Sequence, residues 1–81
     1  MNADEARDTV AAILGQIAPE ADLDDVEPSE DLRTELDLDS LDFLGLIEGL
    51  KERTGVDVPE GDYPQVRSLA GLITYLTSRT S

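Results

Sequence analysis

The chain has 81 residues, with 19 acidic side chains against six basic ones, a formal net charge of −13, and neither Cys nor His. That length supports one apolar core, hence a single domain over residues 1–81. Without Cys or His the usual nucleophile–base pairs, disulfides and thiolate metal centres are excluded, and the surplus negative charge repels nucleic acids and anionic membranes.

The first predicted element is an amphipathic helix over roughly residues 4–18. Ala6, Val10, Ile13, Leu14 and Ile17 recur at the spacing of one helical face. Asn2 or Asp4 can cap it, Asp4, Glu5 and Asp8 suit the positive end of its dipole, and Pro19 stops it. Residues 20–42 then hold eleven acids and a single base, Arg33, with Pro28 inside and no sustained helical period. This is a long loop, and the scattered Val26, Leu32, Leu36 and Leu38 imply that it is pinned against a core, with room for a short helical turn around residues 29–36.

A second apolar stripe, Phe43, Leu46, Ile47 and Leu50, predicts a helix between Ser40 and Thr54, ended by Gly55 in a left-handed conformation. Val56 to Pro59 reads as extended, and Gly61 and Pro64 limit any helix between them to a turn. Ser68 caps a last helix with Leu69, Leu72, Ile73 and Leu76 on its inner face. The expected fold is all-α, a small bundle of three longer helices plus one short helix, with the long loop between the first two. Tyr63 and Tyr75 are expected to cap the core with their hydroxyls in water, and receive no function. No apolar run reaches the roughly 20 residues of a membrane span, and the acidic start MNADEARD is unlike a secretory signal, so a cytoplasmic protein without membrane insertion is expected.

Ser40 stands where the acidic loop meets the amino end of the second long helix. Asp39 is placed to cap that helix, which leaves the neighbouring hydroxyl free to point outward, and a helix amino terminus favours phosphate. A Ser beside Asp at a helix start is by itself commonly a cap and nothing more. The surrounding order of features changes that weighting. Asp39-Ser40-Leu41-Asp42, preceded by Glu35-Leu36 and followed by Gly55-Val56-Asp57-Val58-Pro59 and Val66-Arg67-Ser68-Leu69, resembles the acyl carrier protein family along essentially the whole chain.

The resemblance implies a carrier, not an enzyme, with an acyl-carrier-like bundle and a covalent 4′-phosphopantetheine on Ser40, Asp39 and Leu41 completing the motif. A separate phosphopantetheinyl transferase, using coenzyme A and magnesium, would install the arm. Acyl groups would then travel as thioesters between partner enzymes of fatty-acid, polyketide or specialised lipid synthesis. Two other readings stay open: an aminoacyl or peptidyl carrier of a nonribosomal pathway, and an unmodified acidic interaction module.

On the face of the second long helix opposite its core stripe lie Leu41, Leu44, Gly45, Glu48 and Glu52. With Asp37, Asp39 and Asp42 they compose a small apolar patch in an acidic rim, suited to acyl-transferring or acyl-activating enzymes with basic docking surfaces. A solvated face is the plainer reading. A monomer without metal is expected, since Asp22-Leu23-Asp24-Asp25 lacks the alternating ligands and Gly of a calcium loop. Two departures from the family pattern stand out. Asp37 occupies the place after Leu36 where relatives commonly have Gly, and Gly45 one where many have a recognition Glu. Gly45 and Gly49, four apart, also leave room for close approach by a neighbouring helix or an enzyme surface, with plain tolerance of glycine the equal alternative.

Overall fold

A computed structural model describes residues 1–80. Its first helix, α1 (Ala3–Ile17), begins in a reciprocal cap. Asn2 Oδ1 accepts from the Glu5 N–H at 2.8 Å, and the Glu5 carboxylate accepts from the Asn2 N–H at 3.1 Å. Asn2, not Asp4, is therefore the cap. Ala6, Val10, Ile13 and Leu14 are buried, Ile17 is half-buried and packs against the core, and the helix ends there, before Pro19.

The long acidic loop is tied down at several points. Asp22 caps a 3-10 turn at Leu23–Asp25, and Arg7 reaches across from α1 to Asp24 at 2.9 Å. Leu23, Val26, Leu32 and Leu38 are buried, and Leu36 packs on the core from its edge. A single turn of helix, α2 (Leu32–Glu35), forms within the expected range. The Leu32 N–H donates to the Arg67 carbonyl at 2.7 Å and the Ala70 N–H to that of Pro28 at 2.9 Å, so the loop is stitched to the chain entering the last helix.

Helix α3 (Ser40–Thr54) buries Phe43, Leu46, Ile47 and Leu50. Gly55 ends it at φ 76°, its N–H bonded to the Lys51 carbonyl at 2.9 Å. Gly45 and Gly49 both face α1, and a Cβ on Gly49 would lie 2.8 Å from Ile13 Cγ2, so the bare backbone there lets the two helices approach closely. Val56 and Val58 then bury their side chains on either side of exposed Asp57.

Two expectations are corrected in the final third. Between Pro59 and Arg67 the chain forms a seven-residue 3-10 helix, Glu60–Val66, in place of a turn confined between Gly61 and Pro64. Pro64 blocks an α-helical bond and clashes four residues back, but i→i+3 bonding avoids that clash. In the last helix, α4 (Leu69–Thr80), Tyr75 joins Leu69, Leu72 and Leu76 in the core while Ile73 is half-exposed. The Tyr75 hydroxyl is not in water: it donates to Asp62 Oδ2 at 2.7 Å, and the Arg79 guanidinium lies 3.9 Å above its ring. Loss of solvation, then the Asp62 bond, raise the Tyr75 pKa above its ordinary 10.0, with Arg79 acting the other way. The Ser68 cap is as expected, its Oγ accepting from the Gly71 N–H at 3.0 Å.

Among the described residues there is no β-sheet, no charged side chain is buried, and no helix is long and apolar enough to cross a membrane. The carboxylates thus all lie at or near the surface of an aliphatic core.

Candidate functional site

Three elements converge on the start of α3. Asp39 Oδ1 accepts from the Asp42 N–H at 2.8 Å, and the Asp42 carboxylate reaches back to the Asp39 N–H at 3.4 Å. This reciprocal cap uses the two acids that flank Ser40 and Leu41 and leaves the Ser40 hydroxyl outside it. Ser40 is exposed as the first residue of a 15-residue helix, whose dipole places partial positive charge beside the hydroxyl. The cap also explains the motif in physical terms: Asp at both ends fixes the helix start without engaging the serine between them.

Asp37 supplies the approach to that cap. It is the one non-glycine residue with positive φ among the described residues, at 53°, in the place where the resembled family commonly has Gly. Aspartate tolerates this left-handed backbone better than most L-residues. The turn continues with the Leu38 N–H donating to the Arg33 carbonyl at 2.9 Å, which buries Leu38 and ties α2 to the segment holding Ser40.

Beside Ser40 opens a groove of about 360 Å³ lined by Arg33, Ser40, Phe43, Leu44, Glu60 and Tyr63. Its floor is aromatic: Phe43 and Tyr63 meet edge to face, with centroids 5.5 Å apart and planes at 81°. α2, α3 and the 3-10 helix at Glu60–Val66 each contribute to it. Arg33, Glu60 and Tyr63 were not singled out as site residues in the sequence. One signal did point to Arg33, the solitary base among the acids of residues 20–42.

The remaining candidates form the outer face of α3. Leu41 is 77% exposed and Leu44 40%, the large hydrophobics that stand out from the surface. Asp37, Asp39, Glu48 and Glu52 are exposed around them, and Asp42 is half-buried by its capping role. Glu48 and Glu52 lie farther along α3 and border a separate groove against α1, with Gly45, Gly49 and Arg53. The apolar patch and its acidic rim are thus contiguous with Ser40 at one end only.

Residues 5–76 match the family model described as "Phosphopantetheine attachment site". The chain is 33% identical over 73 residues to the acyl carrier protein of Campylobacter hominis, covering 90% of this chain and 86% of that one. It is 34% identical over 74 residues to the acyl carrier protein of Chlamydia muridarum, covering 89% of this chain and 91% of that one.

The chain belongs to the acyl carrier protein family.

Acyl carrier family members are carriers and not catalysts, and the site of this chain offers an accessible hydroxyl at a helix start. The donor set also fits the family's prosthetic group. A reachable hydroxyl matches the attachment point, a helix amino terminus and the cation Arg33 the phosphodiester, and a groove lined by Phe43, Leu44 and Tyr63 the uncharged stem of such an arm.

Proposed function

We propose that this protein carries acyl groups on a 4′-phosphopantetheine attached to Ser40 and presents them to partner enzymes. The single observation that carries the reading is the Asp39–Asp42 cap, which fixes the start of α3 while leaving Ser40 exposed and unengaged at that start. A phosphopantetheinyl transferase would bring coenzyme A and magnesium. The Ser40 oxygen forms the new bond to phosphorus, the bond to the nucleotide half of coenzyme A breaks, and the serine proton passes to a base on the transferase. When attached, the arm supplies the thiol that this Cys-free chain lacks, and acyl groups are held there as thioesters.

The names of the two relatives favour acyl over aminoacyl cargo, and the pathways proposed are fatty-acid, polyketide or specialised lipid synthesis. Docking is assigned to Leu41 and Leu44, with Asp37, Asp42, Glu48 and Glu52 orienting enzymes that present basic surfaces. Residues 1–81 act as one carrier domain, monomeric and cytoplasmic.

The test is intact mass after incubation with coenzyme A, magnesium and a broad-specificity transferase. Uptake of one phosphopantetheine by the wild type and none by Ser40→Ala is expected, whereas an unmodified wild-type chain would favour the unmodified interaction module. Leu41→Ala separates docking from folding. With its side chain largely in water, its stability should change by no more than about 0.5 kcal/mol, while transfer of an acyl group from a loading enzyme slows.

A further inference from the structure

The geometry points to Arg33 as the residue that binds the phosphodiester of the arm on Ser40. The inference rests on the attachment to Ser40 proposed above.

Arg33 is the only base among the eleven acids of residues 20–42, yet it pairs with none of them. The ion pairs of the described residues are Arg7–Asp24 and Arg79–Asp62. Even Glu60, the carboxylate that shares its groove, makes no ion pair with it. An exposed guanidinium that forms no ion pair has its donors available for an anion that arrives later.

Its placement is fixed by the backbone. The Arg33 N–H donates to Asp31 Oδ1 at 2.8 Å, and its carbonyl accepts from Leu38, two residues before Ser40. The side chain lines the same groove as Ser40. Esterification would put a permanent negative charge on Ser40, in a groove whose charged residues are Arg33 and Glu60; the phosphodiester would be drawn to the first and repelled by the second. Guanidinium and phosphate oxygens match in bidentate geometry. Beyond that contact the groove offers Phe43, Leu44 and Tyr63, surfaces that suit an uncharged stem.

An exposed ion pair of this kind shifts a population modestly, by about 1.4- to 5-fold, and salt screens it. The experiment therefore compares wild type, Arg33→Gln and Arg53→Gln. Each is converted with coenzyme A and a transferase and verified by intact mass, and the phosphodiester ³¹P resonance is followed from low to high salt. Arg33→Gln should displace the low-salt resonance and reduce its salt dependence, while Arg53→Gln, whose charge lies near the far end of α3, should match wild type. The second readout is the Arg33 Nε–Hε cross-peak of the wild type, which should shift on modification. Superimposable ³¹P behaviour of wild type and Arg33→Gln, with an unmoved Nε–Hε peak, would overturn the assignment while leaving attachment at Ser40 intact. A wild-type chain that gains no mass would instead bring down the attachment, and this inference with it.

Discussion

Gly49 and Gly45 lie one turn apart on α3 and should respond unequally to alanine. Alanine in a helix interior is favoured over glycine by about 1 kcal/mol, through backbone entropy alone. At Gly45 the added Cβ would sit 3.6 Å from Ile17 Cδ1, an ordinary contact, so that gain should be realised almost in full. At Gly49 the Cβ would lie 2.8 Å from Ile13 Cγ2 and 3.3 Å from Cγ1. Ile13 is 4% exposed and cannot swing into solvent, so α1 and α3 must separate. Overpacking of this kind costs about 1–3 kcal/mol, which cancels or exceeds the propensity gain of about 1 kcal/mol. Gly49→Ala is thus expected to be less stable than Gly45→Ala by about 1–3 kcal/mol, or roughly 4 °C or more in Tm for a domain this small. Urea titrations of both variants by circular dichroism, at constant m-value, read the difference. A double-mutant cycle identifies its cause: in an Ile13→Ala background, Gly49→Ala should become stabilising. If Gly49→Ala were as stable as Gly45→Ala, or remained destabilising without the Ile13 side chain, the close α1–α3 contact would be refuted.

Three further outcomes are expected. Asp37→Gly should stabilise the fold by about 0.5–1 kcal/mol, because relief of the left-handed backbone at φ 53° exceeds the added unfolded-state entropy; an unchanged or lower urea midpoint would contradict that. Tyr75→Phe should cost about 0.5–1.5 kcal/mol at neutral pH through loss of the bond to Asp62. Since the Tyr75 pKa is raised on folding, its protonated form contributes stability that is fully present below the unfolded value near 10 and is lost as pH rises through the folded value. Alkaline stability curves of the two proteins should therefore converge above that range, and parallel curves would count against the linkage. With a net charge of −13 and every carboxylate at or near the surface, Tm should rise with ionic strength or divalent cations, and a salt-independent Tm would show that self-repulsion is not limiting.

Where local chemistry decides the structure, the sequence was legible. α3 follows from Asp39 at its cap, a stripe at helical spacing and Gly55 at its end, and each does in the fold what its residue type favours. The exposure of Leu41 and Leu44 follows from the same wheel. Asp37 was visible as a departure from the glycine of related chains, and the left-handed backbone there is the reason glycine suits the place. What escaped depends on contacts between distant segments. Pro64 and Gly61 argue against an α-helix but are silent on i→i+3 bonding, so the 3-10 helix was shortened to a turn. Tyr75 joins Ile73 against the core with its hydroxyl bonded to Asp62, thirteen residues earlier, a partner that periodicity within α4 does not reveal. The groove beside Ser40 was hidden for the same reason, since Arg33, Phe43 and Tyr63 meet only once α2, α3 and the 3-10 helix have packed.

Because the unmodified chain contains no Cys, a thiol titration after treatment with coenzyme A and transferase counts attached arms directly. One thiol per wild-type chain and none in Ser40→Ala is the predicted result. A thiol that persists in Ser40→Ala, or a wild type that never acquires one, would contradict the claim that the hydroxyl at the start of α3 is the attachment point.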